Sequence, residues 1–138
     1  LLDCLFMGNI DSLRDWGHAK DFVEMQWEIL QQESPKDYVI STGNMTSVRE
    51  FIELSALELN WGGIKWEGNG INETGRRKDN NEIVIRIDPK FFRPAEVQHL
   101  KGDSSKAFAD FGWKPKTSLK QLVSEMIQID LALASKEA

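Results

Sequence analysis

Two arginines stand in short segments whose composition suits an anionic ligand. Arg14 opens the stretch 14–21 (RDWGHAKD), and Arg93 lies in the stretch 91–97 (FFRPAEV). A guanidinium is planar and permanently charged, and its donor groups match the oxygens of a phosphate or of a sugar diol. Together the two segments predict an anion-binding wall.

The same arginines have a second interpretation as partners in ordinary ion pairs. Arg14 is close in sequence to Asp15 and Asp21, and Arg93 precedes Glu96 at helical spacing. Exposed pairs of this kind contribute roughly a few tenths of a kcal/mol to stability. The residues alone leave both interpretations open.

Groups that could carry out a reaction are missing from the pattern. The only tyrosine is Tyr38, and Thr42 stands four residues later, where a lysine would be needed to assist a tyrosine acid. The two histidines, His18 and His99, adjoin no nucleophile, and His18 is better placed as a helix N-terminal residue. With the single Cys4 they give no spacing for a zinc site. We therefore expect no catalytic residue and no metal site in this chain.

A glycine-rich stretch, Gly68–Gly75, superficially resembles a phosphate-binding loop after a strand. A dinucleotide fingerprint needs a third glycine where Glu73 stands, and the charged residues 76–81 follow instead of an apolar helix. We predict a solvated connection without a cofactor, whose basic residues 76–78 could contact an anion or a neighbouring subunit.

The composition is that of an ordinary globular domain. The chain has 138 residues, 41% of them hydrophobic, and a formal net charge of −5, which argues against broad nucleic-acid binding. One cysteine excludes an internal disulfide, and neither a secretion signal nor an apolar run of about 20 residues is present. We expect a cytoplasmic protein that binds no membrane. The missing initiator methionine and the apolar opening residues suggest the back part of a longer chain.

Apolar residues at helical spacing predict the helices. Ser47 with Glu50, and Ser118 with Gln121, have the spacing of a capping box at a helix start. Gly112 is placed to end a helix. The predicted helices are 18–32, 47–59, 95–100, 104–111 and 118–135.

The predicted strands are 4–7, 37–42, 64–67 and 82–88, of which the last two should pair as an antiparallel ribbon. The polar segment 10–17 is predicted to be a loop. Alternation of helix and strand is typical of an α/β fold with crossover units on a parallel sheet.

The sequence motifs of this chain, in their order and over essentially its whole length, resemble those of GDP-mannose 4,6-dehydratases of the extended short-chain dehydrogenase superfamily. The RDW and GWKP elements are shared with many members of that superfamily, whereas FRPAEV and the long loop before it single out the dehydratases. The resemblance is carried by residues 8–23, Trp27, 30–32, 47–51, 66–68, 92–97, 102–103 and 112–115.

The resemblance implies an α/β fold that is the C-terminal part of an extended short-chain dehydrogenase. It would contain the last crossover units of a Rossmann-type sheet and a small mixed substrate-binding subdomain. Residues 1–138 would form the nucleotide-sugar-binding portion. The NADP-binding Rossmann core and the catalytic threonine, glutamate, tyrosine and lysine would precede Leu1.

In that family NADP takes a hydride from C4 of the hexose, a glutamate removes the C5 proton as water leaves C6, and the hydride returns to C6. GDP-mannose becomes GDP-4-keto-6-deoxymannose, a precursor of GDP-fucose. The resemblance implies that Arg14 and Arg93 hold the diphosphate or neighbouring groups of GDP, and that Glu96 accepts hydrogen bonds from the ribose or base. This chain alone would be inactive and bind no cofactor, whereas the full-length protein would be a homo-oligomeric lyase.

Two other functions stay open at this point. The protein could be a different nucleotide-sugar epimerase or dehydratase of the same superfamily. It could also be a non-catalytic binding or assembly module that kept the fold.

Overall fold

Short strands and helices alternate along the chain in a computed structural model that describes residues 4–97 and 99–137. The strands are β1 Leu5–Met7, β2 Leu13–Asp15, β3 Met45–Ser47, β4 Ile64–Glu67, β5 Thr74–Arg77, β6 Ile83–Ile87 and β7 His99–Leu100. The helices are α1 Ala19–Leu30, α2 Val48–Glu58, α3 Ser105–Phe111 and α4 Leu119–Glu137. The α/β class predicted from the sequence is confirmed.

The larger sheet has the strand order β1-β6-β5-β4, with β1 parallel to β6 and the other pairs antiparallel. Ala56 of α2 packs on it against Ile64 and Ile85, all buried. Position 75 of β5 requires a glycine, because a Cβ there would stand only 2.9 Å from the Trp66 ring. The absence of a side chain at Gly75 thus leaves room for the Trp66 indole on this face of the sheet.

The smaller sheet has the order β3-β2-β7, and Arg14 lies in its central strand. The residue opposite Arg14 is Thr46 on the antiparallel strand β3 and Leu100 on the parallel strand β7. This sheet therefore brings residues from the start of the chain next to the segment that follows Arg93.

A second core joins α1 to α3. Met25, Ala107 and Trp113 are buried together, and Tyr38 and Ile40 pack against them. The carboxylate of Asp21, only 4% exposed, accepts hydrogen bonds from the backbone N–H groups of Lys116 and Thr117, both at 2.9 Å. Asp21 therefore ties the loop before α4 to α1.

The predicted caps at the starts of α1, α2 and α4 and at the end of α3 are confirmed. The His18 imidazole accepts the Lys20 N–H at the start of α1, and the Ser47 hydroxyl accepts the Glu50 N–H at the start of α2. Ser118 and Gln121 form a reciprocal capping box before α4. Gly112 ends α3 with φ +67°, a left-handed conformation that suits glycine.

Two of the predicted loops contain strands. Segment 10–17 was expected to be a loop, but its residues 13–15 form β2 because β3 and β7 pair with both edges. The glycine-rich connection contains β5, which lies between β4 and β6. The predicted direct pairing of 64–67 with 82–88 is therefore wrong, since each of these strands bonds to β5 instead.

Two predicted elements are not formed. Segment 37–42 is not a strand, since a strand requires a hydrogen-bonded neighbour and none of the described residues supplies one. The helix predicted over 95–100 is also wrong: its last two residues pair with β2 as strand β7. Gln98, within that prediction, lies outside the described residues.

Candidate functional site

A cavity of about 450 Å³ lies between the turn that follows β1 and the segment that follows β6. Its lining contains both polar and apolar residues. It is lined by Gly8, Asn9, Ile10, Asp11, Ser12, Leu13, Gly70, Glu73, Ile87, Phe92, Pro94, Glu96 and His99. The segment 91–97 thus contributes Phe92, Pro94 and Glu96 to this concave surface, and Arg14 directly follows the lining residue Leu13.

Arg14 and Glu96, far apart in sequence, form an ion pair at this cavity. One Nη2–H of Arg14 donates to Oε1 of Glu96 at 2.5 Å, and Nη1 donates to the carbonyl oxygens of Leu13 and Val97 at 2.8 and 2.9 Å. The two side chains are 26% and 21% exposed. The ion pairs that the sequence suggested for Arg14, with Asp15 or Asp21, are wrong, and so is the pairing of Glu96 with Arg93.

Arg93 lies at the rim of the cavity, between the lining residues Phe92 and Pro94, and its backbone is held by Asn9. The Asn9 side chain accepts the Arg93 N–H at 2.7 Å and donates to the Arg93 carbonyl at 3.0 Å. The Arg93 residue is exposed, and among the described residues no carboxylate lies within 4 Å of its guanidinium. Its side chain is therefore free to meet a ligand from solution.

Gly8 allows the two walls of the cavity to approach. A Cβ at this position would lie 2.2 Å from the Phe91 carbonyl oxygen, and a backbone atom cannot move aside as a flexible side chain can. The next residue, Asn9, then reaches Arg93. The Gly-Asn pair of the sequence is thus a junction between β1 and the arginine segment.

Arg49 braces the opposite wall of the cavity. Its Nε and Nη2 donate to the Asp11 carboxylate at 2.7 and 3.0 Å, and its Nη1 and Nη2 donate to the Glu73 carboxylate at 2.6 and 3.0 Å. Its carbon Cζ lies 4.6 Å from the centre of the Trp66 ring. Hydrogen bonding from Arg49 holds the pKa of Asp11 below its usual range. Bonds to Asp11 and Glu73 in turn raise the pKa of Arg49.

Sequence reasoning missed the role of Arg49. Its position near the start of α2 was recognised only as part of a capping box, and its partners lie 38 and 24 residues away. No local spacing rule joins such residues. The available signal was an arginine beside a helix N-terminus, where a cation is unfavourable unless carboxylates surround it.

The other residues of the RDW element have structural roles. The Asp15 carboxylate accepts hydrogen bonds from the N–H and hydroxyl of Thr42 and from the Gly43 N–H, at 2.6 to 2.8 Å. The Trp16 indole donates to the Thr46 carbonyl at 3.0 Å and packs on Phe51. These contacts fix the strand that carries Arg14.

The glycine-rich stretch does not form a phosphate cradle. Gly68 and Gly70 adopt positive φ values of +83° and +53°, and a single 3-10 turn over Gly70–Asn72 leads directly into β5. The next residues are already engaged: Arg76 pairs with Glu67, and Arg77 pairs with Asp79. This stretch therefore does not fit the phosphates of a dinucleotide.

Comparison with known proteins identifies the family. The sequence model described as GDP-mannose 4,6 dehydratase matches residues 1–126. This chain belongs to the GDP-mannose 4,6-dehydratase family. The resemblance stated from the sequence is confirmed.

Family members from distant organisms match almost the whole chain. The GDP-mannose 4,6-dehydratase of Vibrio cholerae serotype O1 is 50% identical over 98% of this chain and 39% of its own length. Those of Cricetulus griseus and Homo sapiens are 48% and 46% identical, over 96% of this chain and 35% of their own length. The chain thus spans less than half the length of these relatives, corresponding to their C-terminal portion.

Solved structures show the same fold at low sequence identity. RMD from Pseudomonas aeruginosa, complexed with NADPH, has a TM-score of 0.67 at 22% identity, over 93% of this chain and 36% of its own. A dTDP-glucose 4,6-dehydratase from Bacillus anthracis, in complex with NAD, has a TM-score of 0.67 at 19% identity, over 91% and 33%. The predicted fold, the C-terminal part of an extended short-chain dehydrogenase, is confirmed.

The roles of Arg14, Arg93 and Glu96 in ligand binding stay predictions. The structure brings Arg14 and Glu96 into contact and places Arg93 at the rim of the same cavity. In the described part of the chain, no helix has the length and apolar character needed to cross a bilayer.

Proposed function

We propose that this chain is the GDP-sugar-binding portion of a GDP-mannose 4,6-dehydratase. The full-length protein would convert GDP-mannose to GDP-4-keto-6-deoxymannose with NADP held outside residues 1–138. The observation that carries the proposal is the ion pair of Arg14 with the cavity-lining Glu96, with Arg93 between the lining residues Phe92 and Pro94, in a chain that belongs to this family.

The paired arrangement gives Arg14 and Glu96 complementary tasks. A guanidinium has five N–H donors. Three of those of Arg14 are used by Leu13, Val97 and Glu96, so Nε–H and one Nη2–H remain for a phosphate oxygen. Glu96 keeps its second carboxylate oxygen for a donor such as a ribose hydroxyl. The ion pair therefore orients both groups before the ligand arrives, which lowers the ordering cost of binding.

Arg93 supplies the charge that the pair does not. Because Glu96 neutralises Arg14, that pair alone adds no net positive charge to the site. Arg93 is exposed and forms no ion pair with a described carboxylate, so it would carry the electrostatic attraction to a diphosphate. Its backbone bonds to Asn9 hold it in place while the side chain closes over the ligand.

The chemistry of the reaction is assigned to the remainder of the full-length protein. The residues described contain no dinucleotide cradle, so we derive no step through NADP from them. Tyr38, the only tyrosine, donates its hydroxyl to the Asp110 carboxylate at 2.7 Å and belongs to the α1–α3 core. This chain binds and orients the nucleotide, and in isolation it is expected to be inactive.

The test is the conversion of nucleotide sugars by the full-length protein that carries this sequence. GDP-mannose, dTDP-glucose and UDP-glucose are supplied separately with NADP, and 4-keto products are measured by mass spectrometry. We expect turnover of GDP-mannose alone.

Other outcomes separate the alternatives. Turnover of dTDP-glucose or UDP-glucose instead would assign the protein to another dehydratase or epimerase of the superfamily. Binding of GDP without turnover of any of the three would favour a non-catalytic module. Absence of both binding and turnover would contradict the proposed function outright.

A further inference from the structure

The cavity wall contains a buried negative charge that the proposed ligand would have to face. Glu73 lines the cavity, and its side chain is only 12% exposed. A diphosphate entering the same cavity is itself anionic. An uncompensated carboxylate in a partly dry wall would repel such a ligand more strongly than one in water would.

Arg49 cancels this charge and fixes the wall at the same time. It binds Glu73 through both terminal nitrogens, and it shares Nη2 with Asp11 on the neighbouring segment. The Asp11 side chain is largely exposed, so solvent screens its charge and Glu73 is the carboxylate that matters. Arg49 does not itself line the cavity.

The backbone N–H groups of Arg49 and its neighbour Val48 also hold the cavity wall in place. The Arg49 N–H donates to the Ile10 carbonyl at 2.7 Å, and the Val48 N–H donates to the Ser12 carbonyl at 3.3 Å. Ile10 and Ser12 both line the cavity. The start of α2 thus fixes the segment on which Asn9 reaches across to Arg93.

We infer that Arg49 is a positioning residue of the nucleotide site, which neutralises Glu73 and aligns the cavity wall so that the site accepts a diphosphate. The inference rests on the proposed function and adds a residue that never touches the ligand. An electrostatic role of Arg49 has a consequence that a purely structural role would not have. Loss of Arg49 should penalise a charged nucleotide far more than an uncharged nucleoside.

The experiment measures binding of GDP and of guanosine to the full-length protein by calorimetry. Arg49→Met should weaken GDP binding by about tenfold, because the Glu73 carboxylate then remains unpaired and repels the diphosphate. Guanosine binding should change by less than about threefold, since guanosine carries no phosphate. The double variant Arg49→Met/Glu73→Gln removes the charge itself, so GDP affinity should return to within about threefold of the wild-type value.

Two further variants keep the result interpretable. Arg49→Lys retains the charge without the fork, so it should lose less GDP affinity than Arg49→Met. Arg77→Met is the matched control, because Arg77 also stacks on an indole, that of Trp61 at 4.3 Å, and pairs with a carboxylate, that of Asp79, away from the cavity. It should leave GDP affinity unchanged.

Several results would overturn the inference. Equal losses of GDP and guanosine affinity in Arg49→Met, with no recovery in the double variant, would mean that Arg49 is only a structural brace. Wild-type GDP affinity in Arg49→Met would remove it from the site altogether. If the wild-type protein itself failed to bind GDP, the proposed function would fall together with this inference, whereas the first two outcomes leave the proposed function intact.

Discussion

Arg93 and Arg14 carry the same charge in different surroundings. Arg14 is neutralised by Glu96 and partly buried, whereas Arg93 is exposed at the cavity rim and forms no ion pair with a described carboxylate. The two should therefore respond differently to substitution. Removal of Arg14 would also unpair Glu96, which confounds its effect on binding with an effect on structure.

Arg93→Ala is the cleaner test of the proposed nucleotide site. We expect GDP binding by the full-length protein to weaken by roughly 1.5–3 kcal/mol, the usual contribution of a hydrogen bond to a charged group. Thermal stability should be unchanged, since the structural bonds of Arg93 are made by its backbone. Lys90→Ala is the control, because Lys90 is a nearby cation that lies over Phe91 and, unlike Arg93, has no cavity-lining residue on either side of it in the sequence. Equal GDP affinity in Arg93→Ala and the wild type would contradict the assignment.

Asp21 makes a pH-dependent contribution to stability. Burial opposes its ionisation, but the backbone N–H groups of Thr117 and Lys116 outweigh that cost, so its pKa lies below its usual range. A carboxyl whose folded pKa is lowered stabilises the fold above the unfolded pKa of about 3.9, and this contribution is lost as the pH falls through the folded pKa.

Asp21→Asn should lower the free energy of unfolding at pH 7 by about 1–3 kcal/mol, since the backbone donors lose a charged acceptor. The difference from the wild type should begin to shrink as the pH falls below about 4, where the unfolded carboxyl becomes protonated, and should continue to shrink until the native carboxyl is protonated too. Urea denaturation between pH 7 and pH 3 measures both effects. Asp130→Asn, at an exposed site on α4, is the control and should show neither. A difference that stays constant with pH would refute the ionic explanation.

At the scale of elements, the junction of β1 with the arginine segment depends on a glycine. Gly8→Ala would place a Cβ 2.2 Å from the Phe91 carbonyl oxygen, so the backbone must shift. We expect a loss of about 1–3 kcal/mol in stability, as for other overpacked sites. GDP binding should weaken as well, because Asn9 would no longer reach Arg93. Gly43→Asn is the control: nothing lies within 4 Å of its Cβ, and asparagine tolerates the φ of +74°. Equal stability of the two variants would show that the junction adapts without strain.

The helices could be predicted from the sequence because their signals are local. His18, Ser47 and Ser118 each cap the helix that follows within a few residues, and Gly112 ends α3 as its position indicated. Strands depend on partners elsewhere in the chain, which a local pattern does not specify. Segment 37–42 has the composition of a strand and forms none among the described residues. The short strand β2 lacks that composition and lies at the centre of a sheet.

The candidate site was predictable in part for the same reason. Arg14 and Arg93 could be recognised from the sequence as suited to an anion, and the family resemblance implied that the anion is the diphosphate of GDP. Their geometry could not be derived, since Arg14 meets Glu96 across 82 residues and Arg49 meets Glu73 across 24. Sequence proximity suggested that Arg14 pairs with Asp15 or Asp21, but the fold brings it to Glu96 instead.

At the scale of the whole molecule, the chain leaves apolar surface uncovered. On α1, Val23, Trp27 and Leu30 lie on one face at i, i+4 and i+7, and the last two are 58% and 79% exposed. Leu5 and Phe6 on β1 are also exposed, and this strand is bonded on only one side within the described residues. Contiguous apolar surface of this kind promotes association in water, and a free strand edge offers unpaired backbone groups to another chain.

Residues 1–138 in isolation should therefore self-associate in a concentration-dependent manner, which sedimentation velocity would detect. The double variant Trp27→Glu/Leu30→Lys should sediment mainly as a monomer, since two charges on the apolar face of α1 raise the cost of burying it. Its helix content by circular dichroism should match the wild type, because the buried face of α1, which carries Met25, is unchanged. Gln32→Lys/Ser34→Glu introduces the same charges at exposed polar positions that follow α1 and should associate as the wild type does. If the wild-type chain instead remained monomeric at every concentration, with a sharp thermal transition, its exposed apolar face would not drive association, and the 138 residues would form a stable unit without any further partner.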